Sequence, residues 1–404
     1  MGPEYSGSGR SRRIIPTPGP RIDAAVRAFD EDIGAGSVME YDYAIIGGGV
    51  VGLSVAWGLL GRGRTVAVLD GDDGSFRASR GNFGLVWVQS KGMAQPRYAQ
   101  WSQASAAAWR EFADELTDAT GHNPGLEQKG GYDLHFDEET LHDTVRKYDV
   151  LKEKLGGNYP YEVLGRNALR REEPNIGPEV AGAILHHQDG HANPLKLLRA
   201  LADDVRRRGG VILNEQQVVD VTNRDGFRVT CADGTVVDAG KVVLSAGLGS
   251  AQLGPKLGFK APVRPQRGQV MITEKLPKLI NRPSLVARQV TEGGVQIGVT
   301  NEETGLDDGV TSGGLSGMAS DAIRAFPALA RAQMVRSWGA LRVLSPDGLP
   351  IYQRSPTMPG ASLVTCHSGI TLAAAHARLL TDWLEETDTA PDLEVFGEHR
   401  FDIS

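Results

Sequence analysis

A glycine fingerprint near residue 50 constrains the fold more than any other feature of this 404-residue chain. Residues 43–60 read YAIIGGGVVGLSVAWGLL: a short apolar run, a glycine-rich turn, and a longer run whose apolar residues have helical spacing. Gly47, Gly49 and Gly52 fill the pattern Gly-x-Gly-x-x-Gly. Between a strand and a helix, these glycines allow a sharp turn, a close approach to a pyrophosphate, and packing of the helix on the strand. The stretch therefore predicts a dinucleotide site with its diphosphate at the helix N-terminus.

A second apolar run supports this interpretation, because TVAVLD ends in Asp70, about 20 residues after the last glycine of the fingerprint. An acid here accepts hydrogen bonds from a ribose 2′-hydroxyl and repels a 2′-phosphate, which argues against NADP. One alternative is a chance match in a chain with 51 glycines, which the flanking strand and helix patterns disfavour. The other is a membrane-spanning helix over the uncharged residues 43–61. Each of its three consecutive glycines would cost a helix interior roughly 1 kcal/mol.

Length and composition exclude several classes of protein. The chain is long enough for two domains with substantial cores. A net charge of −7 provides no basic surface, so we expect no nucleic-acid partner. Cys231 and Cys366 are too few for a disulfide framework, and a cytoplasmic location is expected. HHQDGH at 186–191 is predicted to be a polar turn and not a metal site, because a fourth ligand is missing.

Residues 1–38 differ from the rest of the chain. They are rich in Gly, Pro, Ser and Arg, and they lack the apolar core of a signal peptide. Met39, directly before the first strand, would be a natural start. We expect a disordered N-terminal extension outside the fold. A cloning remnant, a misassigned start and a native tail that docks a partner remain open.

The later elements alternate between helical and strand patterns. The clearest helix is ANPLKLLRALADDVRRRGG at 192–210, in which Asn193 is the predicted N-cap and Gly209 the predicted stop. Residues 211–247 predict a small β-meander, and the segment from about 256 to 335 predicts strands of a second, antiparallel sheet. Residues 361–386 predict a strand, a glycine turn and a long helix.

Four stretches carry a family likeness that spans essentially everything after Met39. They are the fingerprint with Asp70, FRASRGNFGLVWVQ, WGALRVLSPDGLPIY and HSGITLAAAHARLLTDWL. The chain resembles the D-amino-acid oxidase superfamily of FAD enzymes, which includes glycine oxidase, sarcosine oxidase and D-amino acid dehydrogenases. Within it, RGNFGLVWVQSKG is most similar to the FAD-carrying β subunit of opine oxidases, also called octopine or nopaline dehydrogenases. Hydrogen cyanide synthase and hydroxyproline dehydrogenase subunits are near neighbours.

The resemblance implies an α/β fold with two domains. One is an FAD-binding, Rossmann-type domain of the glutathione-reductase-like kind, and the other is an antiparallel-sheet substrate domain. The FAD-binding domain is expected to be discontinuous, over residues 39–92, 186–255 and 336–398. The substrate-binding domain is expected over residues 93–185 and 256–335.

The resemblance also implies which residues bind FAD without a covalent link. Ser79 and Arg80 match polar groups along the phosphates and the ribityl chain, residues 82–84 would reach the isoalloxazine, and Val218 matches a strand that pairs with adenine. The alternatives are a plain glycine-rich loop and ordinary sheet core at Val218. The predicted cofactor-binding residues are Gly47, Gly49, Val50, Val51, Gly52, Asp70, Gly71, Ser79, Arg80, Asn82, Phe83, Gly84, Val218, Ala246, Gly247, Arg342, His367, Ser368, Gly369, Ile370 and Thr371.

Arg342 is the predicted catalytic residue and, together with Trp338, the predicted substrate-binding residue. In relatives the arginine of a Trp-x-Gly-x-Arg pattern grips the substrate carboxylate, and WGALR departs slightly from that spacing. A guanidinium suits this task better than an ammonium, because its planar fork binds both carboxylate oxygens. The alternative is a solvated surface arginine.

The turn HSGIT at 367–371 indicates FAD as the dinucleotide. Relatives place this second glycine turn under the flavin, where a helix N-terminus stabilises negative charge on the reduced ring. Relatives that tether their flavin use a cysteine near ALRVLSPDG, a segment that has none here, and tethering through Cys366 is the less favoured alternative. His186, His187 and Asp189 match positions at which a related subunit type contacts a second flavin, FMN, at a subunit interface.

The implied reaction is oxidation of an amine C–N bond, followed by hydrolysis of the imine to an oxo acid and an amine. An opine, a secondary amine joining arginine to a keto acid, would yield L-arginine and pyruvate or 2-oxoglutarate. Three functions remain open: the FAD subunit of a heteromeric dehydrogenase with partner subunits, a self-sufficient oxidase that uses O₂ as glycine oxidase does, and a non-catalytic FAD-binding assembly subunit. We expect a small-molecule substrate and no integral membrane span.

Overall fold

A computed structural model of the protein describes residues 40–71 and 77–402, so the predicted extension at 1–38 lies outside the described residues. The strands are β1 (Glu40–Ile46), β2 (Val66–Leu69), β3 (Leu85–Val86), β4 (Gly131–His135), β5 (Glu162–Gly165), β6 (Gly182–His186), β7 (Gly190–His191), β8 (Val211–Leu213), β9 (Val218–Asn223), β10 (Phe227–Cys231), β11 (Val236–Leu244), β12 (Arg264–Lys275), β13 (Ala287–Gln289), β14 (Gly294–Gly298), β15 (Met334–Leu344), β16 (Ile351–Arg354) and β17 (Ala361–Thr365). The α-helices are α1 (Val50–Gly61), α2 (Pro96–Thr120), α3 (Glu138–Lys154), α4 (Arg166–Glu172), α5 (Pro194–Arg207), α6 (Ser250–Leu253), α7 (Ser312–Ala325), α8 (Gly369–Arg378) and α9 (Leu380–Glu385).

The fingerprint follows the central strand of a largely parallel sheet with the order β16-β17-β11-β1-β2-β8. β1 pairs in parallel with β2 and with β11, and β9 and β10 extend β11 as the predicted antiparallel meander. Tyr43 and Ile45 face a core shared with α1, α2 and α8, while Ala44 and Ile46 face a second core shared with β10 and β11. The run YAII is continuously apolar because both faces of this strand are covered.

Local capping explains where the predicted helix α5 begins and ends. The Asn193 side chain accepts hydrogen bonds from the backbone N–H groups of Leu195 at 3.1 Å and Lys196 at 3.2 Å. Pro194 occupies the first helical position, and Gly209, with φ +88°, turns the chain away after the last turn. This predicted helix is confirmed.

A second sheet is antiparallel, with the order β13-β14-β12-β15. β12 and β15 pair along most of their length, from Arg264 opposite Leu344 to Thr273 opposite Met334. Residues of β6, β12, β14 and α7 share one apolar core, which joins this sheet to the small sheet β4-β6-β5. The predicted fold class, a Rossmann-type nucleotide-binding sheet with a second antiparallel sheet, is confirmed.

Helix α7 is a departure from the expected strands between 256 and 335. Its sequence SGGLSGMASDAIRA contains three glycines, which lower helix propensity. The Thr311 side chain caps it by accepting from the Gly314 N–H at 3.2 Å, and Met318, Ala322 and Ala325 are buried in the core that α7 shares with β6, β12 and β14. Tertiary packing therefore overrides the local propensity.

Two further details differ from the expectations. The long helix predicted after the glycine turn is divided at Leu379, where a distorted residue with φ −96° and ψ −40° separates α8 from α9. The predicted domain boundary at residue 336 runs through β15, which pairs with β12, so the two-domain division with these limits stays a prediction. Among the described residues, no helix combines the length and the apolar character that crossing a membrane requires.

Candidate active site

Two adjoining cavities open at the carboxyl ends of β1 and β2, where parallel sheets bind their ligands. We call the first, of about 800 Å³, the nucleotide cavity; its walls include the fingerprint turn and Asp70. We call the second, of about 160 Å³, the reaction cavity; its walls include Lys91 and Arg342. The residues common to both walls are Ala78, Asn82, Leu341 and His367. One elongated ligand can therefore extend from the fingerprint to Arg342.

The cavities gather most of the predicted site residues. Those lining the nucleotide cavity are Gly47, Gly49, Val50, Val51, Asp70, Gly71, Ser79, Arg80, Asn82, Val218, Ala246, Gly247, His367 and Gly369. Those lining the reaction cavity are Asn82, Phe83, Arg342, His367, Ser368, Ile370 and Thr371. Residues from six separate parts of the chain thus meet around one continuous space.

The geometry of the fingerprint turn fits a diphosphate. Gly47 has φ +112°, and a Cβ there would lie 2.5 Å from the carbonyl oxygen of Ser245. Gly49 precedes α1 without a side-chain cap of its own, and the Val50 N–H donates to the Ser79 hydroxyl at 3.0 Å. The helix N-terminus and a hydroxyl therefore meet at the cavity wall, as an anionic group requires.

Gly52 has a packing role. A Cβ on this residue would lie 2.0 Å from the carbonyl oxygen of Gly47, so only glycine lets α1 approach the turn this closely. Gly52 is absent from both cavity linings. Gly52 therefore allows close packing of the helix next to the cavity, which is the role of the third glycine of this motif.

Asp70 and Val218, the two residues predicted to contact the adenosine of FAD, both line the nucleotide cavity. The Asp70 carboxylate is partly exposed and lies against Gly48 of the fingerprint turn. A Cβ on Gly48 would lie 2.6 Å from Asp70 Oδ2. Arg77 Nη1 lies 3.4 Å from Asp70 Oδ1. Val218, at the start of β9, both lines the cavity and packs in the sheet core, so its two predicted roles are compatible.

Arg342 lies in the wall of the reaction cavity. Its Nη2 donates to the carbonyl oxygen of Thr300 at 2.8 Å, and its Nη1 donates to that of Arg267 at 3.1 Å. A Cβ on Gly268 would lie 2.6 Å from Nη2, so this glycine makes room for the guanidinium. Burial lowers the pKa of Arg342. This is the environment of an anchored cavity residue and not of a solvated surface arginine.

Trp338 and Gly84 lie outside both linings, where they support the loop that carries Asn82. The Trp338 Nε1–H donates to the carbonyl oxygen of Gly81 at 3.0 Å. Gly84 has φ +94°, and a Cβ there would lie 2.4 Å from the carbonyl oxygen of Ala192. The structure therefore places Trp338 and Gly84 outside the surfaces that line the two cavities.

The closing turn brings the N-terminus of α8 to the junction of the two cavities. Gly369 packs beside the fingerprint, since a Cβ on it would lie 2.9 Å from Val50 Cγ1. The Thr371 hydroxyl accepts from the Trp87 N–H at 3.1 Å and so joins α8 to the loop after β3. His367 is open to both cavities but surrounded by protein, and this burial lowers its pKa to about 3. It is therefore neutral at physiological pH.

Lys91 also lines the reaction cavity, although it is not among the predicted site residues. Its Nζ donates to the Ser368 hydroxyl at 2.8 Å, and burial lowers its pKa to about 8. The residue stands in the stretch RGNFGLVWVQSKG, where Gln89 and Ser90 separate it from the apolar run LVWV. The sequence signal for Lys91 was a lysine shortly after an apolar run. The sequence alone did not show which way the lysine side chain points.

The polar turn around Asp189 is internal. His186 and Asp189 are fully buried, and Asp189 accepts from the Val88 N–H at 2.5 Å and from Gln89 Nε2 at 2.9 Å. His187 is exposed and lies 2.7 Å from Glu162. Two of the three positions implied for FMN are therefore closed off within this chain. In the described part of the chain, no group of three or more His, Cys, Asp or Glu side chains is arranged to hold a metal ion.

Cys366 lines the nucleotide cavity and is not part of a disulfide. Burial raises the pKa of its thiol to about 12, so it remains protonated at physiological pH. Because the thiolate is the nucleophilic form of cysteine, this environment disfavours a covalent link to flavin.

Comparison with known proteins defines the class. The family model described as DAO, FAD dependent oxidoreductase, matches residues 42–383. The chain belongs to this family. It is an FAD-dependent oxidoreductase that oxidises amines, and its cofactor is FAD. Glycine turns, an acidic strand end and a cavity leading to the second turn form a site that fits this dinucleotide.

Individual relatives narrow the likeness. The chain is 40% identical to the B subunit of opine oxidase from Rhizobium meliloti over 365 residues, which are 90% of this chain and 98% of the relative. It is 29% identical to the glycine oxidase of Geobacillus kaustophilus over 370 residues, 89% of this chain and 97% of the relative. The crystal structure of that species' glycine oxidase superimposes with a TM-score of 0.83 at 27% identity, covering 89% of this chain and 98% of that one.

Proposed function

We propose that this protein oxidises the C–N bond of an opine such as octopine or nopaline, with L-arginine and a 2-oxo acid as products. The observation that carries the proposal is the 40% identity, over nine-tenths of the chain, to the B subunit of opine oxidase from two bacteria. The cavities add a site in which a cationic side chain faces the end of the cofactor space.

The residues of the reaction cavity suit an amine that carries an acid group. A guanidinium has five N–H donors, and three hydrogen bonds hold that of Arg342 against β12 and Thr300. The remaining donors are available to a carboxylate. Because the guanidinium is anchored to the protein, little side-chain entropy is lost when the acid binds.

FAD, when bound, supplies the hydride acceptor. The residues that would hold it are those of the fingerprint turn, Asp70, Ser79 and the closing turn at 367–371. The positive end of the α8 dipole would face the ring and favour its reduced, more negative form. His367, neutral at physiological pH, leaves the cations of the reaction cavity available to the substrate.

The proposal includes partner subunits and a cytoplasmic location. The relatives named as B subunits of opine oxidase are, by that name, parts of larger assemblies. Both cysteines of this chain are free thiols, as is common in a reducing compartment. A second candidate, a self-sufficient oxidase that uses O₂, is favoured by the likeness to glycine oxidase.

Anaerobic bleaching of the flavin tests the proposal. The purified, FAD-loaded chain is mixed with octopine, nopaline, N-methylglycine, glycine and several D-amino acids, and absorbance of the oxidised flavin is followed. We expect bleaching by an opine, with steady turnover requiring an artificial acceptor or partner subunits. Rapid hydrogen peroxide release by the isolated chain with glycine or N-methylglycine would support the second candidate. No bleaching by any amine would contradict both.

A further inference from the structure

Lys91 has an unusual environment for a lysine. Its ammonium lies in the wall of the reaction cavity, 2.8 Å from the Ser368 hydroxyl and 5.6 Å from the centre of the Tyr98 ring. The Ser368 hydroxyl also accepts from the Tyr98 hydroxyl at 2.9 Å. Ser368 and Tyr98 are both buried, so the position of the ammonium is defined by buried neighbours.

This ammonium forms no salt bridge with any residue that the structure describes. Asp189 is the nearby acid that acts on it, but both Asp189 oxygens accept hydrogen bonds from Val88 and Gln89. An ammonium has three N–H donors, and one hydrogen bond is made to Ser368. A partly buried cation without an anionic partner is costly, and a bound anion would offset that cost.

The charges of the reaction cavity all have the same sign. Arg342 and Lys91 are its cationic lining residues, and its described lining contains no aspartate or glutamate. Both cations lie close enough to His367 to lower its pKa. The rest of the wall is largely apolar, with Trp87 and Ile370 among its residues. In such surroundings two cations attract two negative groups more strongly than they would in water.

We propose that Lys91 binds a second carboxylate of the substrate, so that the site selects secondary amines with an acid group on each arm, one at Arg342 and one at Lys91. This inference rests on the proposed function and deepens it. An opine made from an amino acid and a 2-oxo acid carries one carboxylate on each side of its nitrogen, which matches the two cations. Leu285 lines the same cavity and is 42% exposed, so a longer arm can leave at that side.

Unreactive ligands test this assignment independently of turnover. Diglycolate has two carboxylates joined through an ether oxygen, and methoxyacetate keeps one of them. Binding is measured by the change in the visible spectrum of FAD in the holoenzyme. We expect Lys91→Met to raise the Kd of diglycolate by about 30-fold or more, since a desolvated charge pair is lost. The Kd of methoxyacetate should change by less than about threefold, because that ligand does not need the second cation.

Two further variants separate binding from structure. Lys91→Arg keeps the charge and should restore most of the diglycolate affinity. Lys129→Met, at an exposed lysine outside both cavity linings, should leave both Kd values unchanged. FAD content and the thermal midpoint check that each variant is folded.

The outcomes distinguish this assignment from the proposed function. Equal losses for both ligands, no loss for either, or no diglycolate binding by the wild-type protein would overturn the role of Lys91. Selective loss of diglycolate binding in a protein whose flavin no opine bleaches would support Lys91 as a dicarboxylate contact while contradicting the opine substrate.

Discussion

The nucleotide cavity and the reaction cavity adjoin, yet they present different chemistry to a ligand. The walls of the first are rich in backbone groups at glycines, at a helix N-terminus and at the ends of parallel strands. The second relies on charged side chains, Arg342 from β15 and Lys91 from the loop after β3, anchored by hydrogen bonds to other segments. A site formed by backbone groups can be predicted from the spacing of glycines in the sequence. A site formed by side chains depends on how distant segments pack.

The largest effect that would sharpen this contrast is expected from Arg342→Ala. Removing a desolvated guanidinium should weaken carboxylate binding by about 2–5 kcal/mol, with a steep rise in KM for acidic amines. FAD should remain bound, because its predicted contacts lie mainly in the nucleotide cavity. Stopped-flow flavin reduction and FAD content measure the two effects. Arg336→Ala, at an exposed arginine of the same strand, is the control. Unchanged kinetics in Arg342→Ala would remove this residue from the site.

Unlike Arg342→Ala, Gly52→Ala is expected to weaken FAD binding and protein stability. A Cβ 2.0 Å from the Gly47 carbonyl oxygen must displace the fingerprint turn, at a cost of about 1–3 kcal/mol in the free energy of unfolding. We expect reduced FAD content and a lower thermal midpoint. Gly317→Ala, in α7 with no heavy atom near the added Cβ, should instead stabilise the protein by up to about 1 kcal/mol. Normal FAD binding in Gly52→Ala would show that the turn tolerates a side chain.

Between pH 8 and 10, above the pKa of Asp189, the pH dependence of diglycolate binding should report mainly Lys91. Burial lowers the pKa of Lys91 to about 8, so its positive charge is present below pH 8 and is lost as the pH rises. The Kd should therefore increase above pH 8, by up to about tenfold per pH unit. Among the groups facing Lys91, burial places the pKa of Asp189 at about 7 and that of Cys366 at about 12. Burial also raises the pKa of Tyr98 above its usual value and lowers the pKa of His367 to about 3.

Spectroscopic titrations between pH 8 and 10 check this dependence. The slope should vanish in Lys91→Met. A pH profile that is the same in this variant and in the wild-type protein would assign the titration to another group.

The smallest effect is expected from Asp70→Asn. The amide keeps one acceptor for the ribose hydroxyl but loses the charge, so the Kd of FAD should rise about fivefold, or about 1 kcal/mol. Amine oxidation at saturating FAD should be unchanged, since Asp70 lines the nucleotide cavity and not the reaction cavity. Isothermal titration of the apoprotein with FAD measures the affinity. A loss of amine oxidation at saturating FAD would contradict the division of labour between the two cavities.

Much of the architecture was predictable because local physics decided it. The β1 run is buried on both faces, Asn193 caps α5, and β9 to β11 form the predicted meander. Helix α7 was not predicted, since its glycines favour other conformations and it is stabilised by its Thr311 cap and by burial of its apolar face.

The candidate site divides in the same way. The cavity places Asp70 and the fingerprint turn together, as the motif analysis expected, because they are neighbours across adjacent parallel strands. Trp338 was predicted to bind substrate, but its indole N–H bonds to the Gly81 carbonyl behind the cavity wall. Spacing along β15 could not show this, because loop 78–84 comes from another part of the chain.

A dinucleotide fold, its cofactor turn and a family likeness could all be predicted from the chain, since each depends on residues close together in the sequence or on a recognisable pattern. The tertiary structure decided that Lys91 and Arg342 share one small cavity. The two residues are some 250 positions apart in the sequence, and they meet only because the loop after β3 and strand β15 line the same cavity in the folded chain. Charge placement of this kind is a property of packing, which no local pattern encodes.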